Sequence, residues 1–370
     1  MKIIINIARS ILNAIYSLLK LFTQKNKILF ISRQGDKPSL DFTMLADELR
    51  RSSDIEVVML CKKIPSGIVG KVSYCFHMLV QMKELATSKV VILDSYCILV
   101  SLLKHRESLT VIQIWHALGS MKKFGKSIIG MDEGSSPKIA EAMHMHENYD
   151  IILASCEESS KCFAEAFGYG QDTMKVMSLP RVDAILSESR KEEKQKLIYD
   201  KYPELVGKKV VLYAPTLRKN LDISEYVNKL VNAFENTEYQ LVVKLHPLTK
   251  GNIDYASAIN DSSFSTLDMI YVADYVITDY SAIMYEVALA NKPMYFYAFD
   301  YNKYVGERSF YTDYEKLVPG PILRDAGEIV EKISNDNYDL SKVKAFADKY
   351  IENQKNCTKK ISDLVLENMW

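Results

Sequence analysis

The chain has 370 residues, 48% of them hydrophobic, more than one core usually absorbs, so two domains are the expectation. Its 47 basic and 47 acidic side chains cancel, which removes any overall positive field that would draw it onto nucleic acid and confines phosphate chemistry to local sites. Six cysteines without a CxxC pair argue against a disulfide framework or zinc site and for a reduced, cytoplasmic compartment.

Residues 1–24 form the first segment. From Ile3 to Phe22 the chain is mostly apolar, yet Asn6, Arg9, Asn13, Ser17 and Lys20 recur every three or four residues, the spacing of one helix face. Arg9 argues against a transmembrane span, and Leu21-Phe22-Thr23-Gln24 offers no small-residue cleavage site. The reading is an amphipathic helix in the membrane interface with its polar stripe toward water, which makes the protein peripheral at the cytoplasmic face of a membrane. A helix docked on the protein's own core or on a partner is the alternative.

Short apolar runs then alternate with helical patterns, as a parallel α/β sheet requires. Residues 25–190 carry predicted strands at Ile28–Ser32, Ile55–Leu60, Val90–Leu93, Val111–Trp115 and Ile151–Ala154, and a helix from Glu157 to Phe167, which together make one Rossmann-like domain. The charged stretch Ser187–Lys201 reads as a surface helix and linker. A second Rossmann-like domain over 207–335 has predicted strands at Val210–Tyr213, Tyr239–Leu245, Tyr275–Thr278 and Met294–Tyr297, and helices close the chain over 336–370. Two such domains facing a central cleft form a GT-B-like architecture, with ligands outside the carboxyl ends of the strands.

Polar motifs fall at those ends: Trp115-His116-Ala117-Leu118-Gly119, Tyr213-Ala214-Pro215-Thr216-Leu217-Arg218, Lys244-Leu245-His246-Pro247 and Thr278-Asp279-Tyr280-Ser281-Ala282. No GxGxxG, GxxxxGK[ST] or GxSxG is present, so dinucleotide oxidation, P-loop hydrolysis and α/β-hydrolase chemistry lack motif support. His144 and His146 sit near Glu141 and Glu147, but His-x-His puts the rings on different helix faces, so no metal site and no cofactor are expected.

With Lys122-Lys123-Phe124-Gly125, Val276 to Glu286, Asn291-Lys292-Pro293, Phe296-Tyr297, Asp300 to Tyr304 and Val318-Pro319-Gly320-Pro321, these motifs resemble the CDP-glycerol glycerophosphotransferase family of teichoic-acid synthesis over about residues 110 to 325. The resemblance implies a GT-B-like fold, monotopic membrane attachment, and transfer of glycerol phosphate or ribitol phosphate from CDP-glycerol or CDP-ribitol to a lipid-linked polymer, releasing CMP. Many members read Trp-His-Gly-Thr-Pro-Leu-Lys-Lys, whereas here the stretch from Trp115 to Lys123 is one residue longer and lacks proline, which leaves the polyol and the acceptor open. A homo-oligomer is also left open. The architecture alone would equally suit a sugar-nucleotide glycosyltransferase, and the N-terminal helix alone a silent membrane scaffold.

Within that frame His116 is the expected base for the acceptor hydroxyl, and His246 the group that steadies the donor phosphate and the departing CMP. Thr278, Ser281 and the backbone amides to Ala282 open a helix expected to run to Ala290 and cradle the pyrophosphate, although a bare helix cap looks much the same. Asp279 is left between capping, orienting His246 and binding a cation. Glu286 is read as a ribose ligand or a solvated helix carboxylate. Arg218 offers a phosphate fork, Lys244 a point charge or merely a strand-edge lysine, and Lys122 and Lys123 a contact to the anionic acceptor.

Overall fold

The computed structural model describes residues 2–218, 221–307, 309–335, 337–352 and 354–370. Met1 and Asp336, at which the first and last expected segments begin, lie outside the described residues. The chain divides into two compact units, one built from the residues up to Asp183 together with Glu352–Trp370, the other from Ala184–Ile351.

Among the described residues the first unit holds β1 (Lys27–Ser32), β2 (Glu56–Cys61), β3 (Val90–Leu93), β4 (Thr110–Gln113), β5 (Ile151–Ala154) and β6 (Met174–Val176), all parallel, in the order β2-β1-β3-β4-β5-β6. Its helices are α1 (Lys2–Leu19), α2 (Leu40–Ser52), α3 (Gly67–Thr87), α4 (Ile98–Leu102), α5 (Pro137–Ala142) and α6 (Glu157–Phe167), with α7 (Arg181–Ile185) at the point in the chain where the units divide. Every residue of β1 and β3 is buried, as strands covered on both faces must be. Ser39 caps α2 by accepting the Phe42 N–H, and α6 ends where Gly168, at φ 76°, turns its N–H back to the Ala164 carbonyl. The winding leaves β1 in both directions, so its switch point, where the carboxyl ends part, lies between β1 and β3.

The second unit repeats the scheme with β7 (Lys209–Tyr213), β8 (Tyr239–Val243), β9 (Ala258–Asn260), β10 (Tyr275–Thr278), β11 (Met294–Tyr297) and β12 (Ile322–Leu323), parallel in the order β12-β11-β10-β7-β8-β9. The helices are α8 (Glu188–Lys201), α9 (Ser224–Phe234), α10 (Thr266–Ile270), α11 (Ile283–Leu289), α12 (Tyr301–Glu307), α13 (Tyr314–Leu317), α14 (Ala326–Ser334) and α15 (Leu340–Tyr350). Here the switch point falls between β7 and β10. The last helix, α16 (Cys357–Glu367), returns to the first unit and packs on α2 with Ile361 and Val365 buried.

The α/β class and the two parallel sheets match the sequence reading, with differences in detail. The division of the chain falls at Asp183 rather than across 190–207, so α8 belongs to the second unit instead of linking the two. The closing helices split as well, because α14 and α15 stay with the second unit while α16 joins the first. Strands β4 and β8 stop two residues before the predicted ends, where the chain turns out to present His116 and His246.

The largest correction concerns α1, which exists but is turned over. Three residues of its polar stripe face the protein, while Asn6 and Ser17 stay exposed: Asn13 Nδ2 donates to the Leu102 carbonyl at 3.1 Å, Asn13 Oδ1 accepts the Lys104 N–H at 2.8 Å, Lys20 Nζ donates to the Lys104 carbonyl at 2.8 Å, and Arg9 meets His144. The contacts are local. Helix α4 ends with carbonyls that have no partner inside the helix; Asn13 of α1 meets that of Leu102, and Asn148 meets those of Val100 and Ser101. Leu12, Tyr16 and Leu19 join the core from the flank of the stripe, while Ile7, Ile11, Leu18, Leu21 and Phe22 point outward, Leu21 at 82% exposure.

The Asp183 carboxylate caps α16, accepting the Cys357 N–H at 3.0 Å and both the N–H and the hydroxyl of Thr358 at 2.7 Å. Asp183→Ala is therefore expected to cost about 1–2 kcal/mol, the upper range for a lost N-terminal cap, read as a lower urea midpoint for the full chain.

Candidate functional site

His116 stands at the first switch point. Trp115 before it adopts the left-handed region at φ 59°, a conformation bulky residues rarely hold, and is kept there by its N–H to Gln113 Oε1 at 2.9 Å. Its indole stacks on Phe124 with centroids 4.8 Å apart and flanks the His116 ring at 4.1 Å. Gly125 lets this stack form: a Cβ there would lie 2.4 Å from the Ala166 carbonyl oxygen. The separated motifs Trp115-His116 and Lys122 to Gly125 are thus one packed object.

The geometry fixes the tautomer of His116. Its Nδ1 lies 2.7 Å from the Asp94 carbonyl oxygen, which can only accept, so the proton sits on Nδ1 and Nε2 keeps its lone pair. Gln34 Nε2 lies 3.3 Å from the same Nδ1, and flipping this amide, which exchanges its nitrogen and oxygen, puts an acceptor there in keeping with the tautomer. Burial pushes the pKa of the ring down to about 4; the Asp94 carbonyl and Asp41 oppose that and Arg181 adds to it, so the ring is neutral at pH 7. Asp41 and Arg181 are themselves paired, Nε to Oδ2 at 2.9 Å and the Arg181 N–H to Oδ1 at 2.8 Å.

At the second switch point the chain builds an ion cluster. Arg218 forks onto Asp300, Nε to Oδ2 at 2.7 Å and Nη2 to Oδ1 at 3.0 Å, and reaches Asp279 Oδ2 at 2.9 Å. Asp279 Oδ1 accepts the Thr216 N–H at 2.8 Å, and Arg218 Nη1 donates to the Thr216 carbonyl at 2.8 Å. The guanidinium lies over Tyr304 and Tyr280, whose rings stack 3.9 Å apart. The fork expected to bind phosphate is therefore committed to carboxylates. Asp279 is an anchor for the turn after β7, and Thr278 donates its hydroxyl to the Ala214 carbonyl at 2.8 Å across the same pair of strands.

Lys244 is likewise engaged, its Nζ 2.8 Å from Asp261 Oδ2, while Asp261 Oδ1 accepts from Tyr202 and from the Ser263 N–H. His246 is exposed and shapes its own turn: Leu248 donates its N–H to Nδ1 at 3.1 Å, and Thr249 donates to the His246 carbonyl at 2.8 Å. Since Nδ1 accepts, the neutral ring carries its proton on Nε2. Ser281 and Ala282 sit half-buried before α11, which ends at Leu289 rather than Ala290; Ser281 Oγ accepts the Ile283 N–H at a long 3.4 Å. Glu286 is buried, so the solvated alternative falls away. Lys122 and Lys123 are half-buried, with Lys123 Nζ 3.3 Å from Glu165.

Sequence reasoning missed Asp94, Gln34, Asp41 and Arg181 around His116, and Asp300 and Asp261 as partners of the basic residues. Asp94 and Gln34 each follow a strand by one or two residues, the same signal that picked out the histidines, but belong to none of the motifs.

The family model described as CDP-glycerol:poly(glycerophosphate) glycerophosphotransferase matches residues 14–367. The teichoic acid ribitol-phosphate primase of Bacillus spizizenii is 31% identical over 94% of this chain and 93% of its own. The teichoic acid glycerol-phosphate primase of Bacillus subtilis is 31% identical over 85% of this chain and 80% of its own. Among solved structures, a variant of the wall teichoic acid polymerase TagF superposes with a TM-score of 0.77, covering 98% of this chain and 95% of that one at 21% identity, a likeness of fold.

Arg218→Ala would leave Asp279 and Asp300 buried and uncompensated, an expected loss of about 3–5 kcal/mol. Arg218→Lys is expected to recover only part of it, because an ammonium cannot fork across both carboxylates. Denaturant unfolding of the full chain reads both.

Proposed function

The chain belongs to the CDP-glycerol:poly(glycerophosphate) glycerophosphotransferase family and is a CDP-polyol phosphotransferase of teichoic-acid synthesis, and we propose that His116 and His246 divide its chemistry. The observation that supports this division is the pair of opposite tautomers, each set by the backbone: His116 offers a lone pair on Nε2, His246 a proton on Nε2. A base needs the first and a phosphate donor group the second.

In the proposed reaction the acceptor hydroxyl gives its proton to His116 Nε2 as its oxygen attacks the phosphorus that bears the polyol. The bond from that phosphorus to the bridging oxygen breaks, and CMP departs with the electron pair, its phosphate steadied by the His246 Nε2–H. Ser281 and the backbone amides through Ala282 contact the pyrophosphate, and Glu286 the ribose. Thr278, Asp279, Arg218 and Lys244 serve the donor indirectly, as positioning residues that hold the turns after β7, β8 and β10. Lys122 and Lys123 meet the anionic acceptor. The donor carries glycerol phosphate or ribitol phosphate, and the acceptor is lipid-linked.

A membrane surface completes the proposal. No helix among the described residues is long and apolar enough to cross a membrane. The outward stripe of α1 and the neighbouring α3, which exposes Ile68, Val69, Val72 and Phe76, present apolar side chains on packed helices of the first unit. A patch of this kind suits partial insertion at the level of the headgroups.

His116→Ala is expected to lower CMP release from CDP-glycerol or CDP-ribitol, with lipid-linked acceptor present, by roughly 10²–10⁴-fold, with an unchanged circular dichroism spectrum; undiminished turnover removes His116 from the mechanism. Replacing Ile11 and Leu18 with glutamate is expected to abolish sedimentation with anionic vesicles while sparing transfer to a water-soluble acceptor analogue. If the doubly substituted chain still sediments, another surface binds lipid.

A further inference from the structure

Asp94 follows β3 at the first switch point and is 1% exposed. Its peptide carbonyl takes the Nδ1 proton of His116 at 2.7 Å, while neither carboxylate oxygen is held in hydrogen-bond geometry. The hydroxyls that act on the carboxylate are those of Ser32 and Ser95. Each of them already accepts a backbone N–H, from Gln34 and from Arg33, both at 3.1 Å, which leaves its own proton to turn elsewhere. A buried carboxylate left this way is costly, and such a group is retained where its charge has a use.

We propose that Asp94 is a positioning residue for the transfer: its carbonyl fixes His116 as the Nδ1–H tautomer, and its carboxylate supplies the negative charge that steadies the imidazolium formed when Nε2 takes the acceptor's proton. This rests on the reading of His116 as the base. Among the neighbours Asp41 also raises the pKa of the ring, but Arg181, with which it is paired, lowers it. Asp41 of α2 is tied to Arg181 of α7, and burial lifts the thiol of Cys61 on β2 to about 11, which keeps it neutral.

The pH dependence follows from the order of titration. Burial raises Asp94 to about 6, with Ser32 and Ser95 pulling it down and Asp41 pushing it up, whereas the free ring of His116 titrates only near 4. Near neutrality the carboxylate is charged and the ring is not, the arrangement a base requires. As pH falls through about 6, Asp94 takes up a proton first and the support is lost while His116 is still neutral.

Asp94→Asn keeps the carbonyl and the volume. At about pH 7.5 it is expected to lower kcat roughly 10- to 100-fold, the scale of a lost orienting partner, with KM for the CDP-polyol changed less than about twofold. The wild-type fall of kcat below about pH 6 should vanish from its profile, and Asp94→Glu should bring part of that limb back. A wild-type kcat in Asp94→Asn, or a uniformly reduced kcat that keeps the limb, overturns the proposal. The ¹⁵N shifts of the His116 ring in the wild-type protein report the tautomer without turnover, so an Nε2–H ring overturns the positioning role even where His116→Ala shows that the histidine is the base. Normal turnover in His116→Ala instead defeats the underlying reading, whatever the ring spectrum shows.

Discussion

Parallel strands covered by helices on both faces have little room for polar side chains along their length, so groups with chemistry collect where the strands end. Both sheets obey this constraint, and each adds a switch point where the winding reverses and the carboxyl ends of two strands part. His116, Asp94 and Gln34 come from the ends of β4, β3 and β1; Arg218 and Asp279 come from the ends of β7 and β10. One topological rule thus places residues that are far apart in sequence into two small clusters.

The clusters solve different problems. Around His116 the backbone does the positioning: a carbonyl sets the tautomer, a strained Trp115 sets the exit angle, and Phe124, brought close by Gly125, supports the indole. Around Arg218 charge does it, with one guanidinium between two buried carboxylates, and the triad carries net negative charge. Such a cluster locks the turns after β7 and β10 together but repels phosphate. In the proposed reaction the donor's pyrophosphate is accordingly met by neutral donors, amide N–H groups and the Nε2–H of His246, rather than by the formal cations that a count of basic residues suggests.

This difference explains what could be read from the sequence. The central strands were legible because they are continuous apolar runs bounded by polar turns, and several match to the residue, as at Val90–Leu93 and Tyr275–Thr278. Strands β6, β9 and β12 were not, because strands of two or three residues at or near a sheet edge leave no periodic signal. Periodicity found the polar stripe of α1 but cannot say which side of an amphipathic helix meets the protein; the groups at Leu102 and Lys104 that Asn13 and Lys20 meet are a property of the fold. Arg218 and Lys244 were recognised as important without their roles, since residue type signals a charge and only packing reveals that Asp300, Asp279 and Asp261 already claim it.

A ring that titrates near 4 is a poor proton acceptor for an alcohol, which sets a condition on the proposed base. Burial weakens it, and only added negative charge can strengthen it. In the proposed reaction the donor's pyrophosphate and the phosphate polymer supply that charge, so the basicity of His116 rises as substrates bind. In the empty enzyme the same ring stays neutral and weak, which disfavours activation of a stray water. On that proposal the low pKa is a form of selectivity: the base becomes strong only in the company of the anions it serves, with the buried carboxylate of Asp94 as the protein's own contribution to that charge.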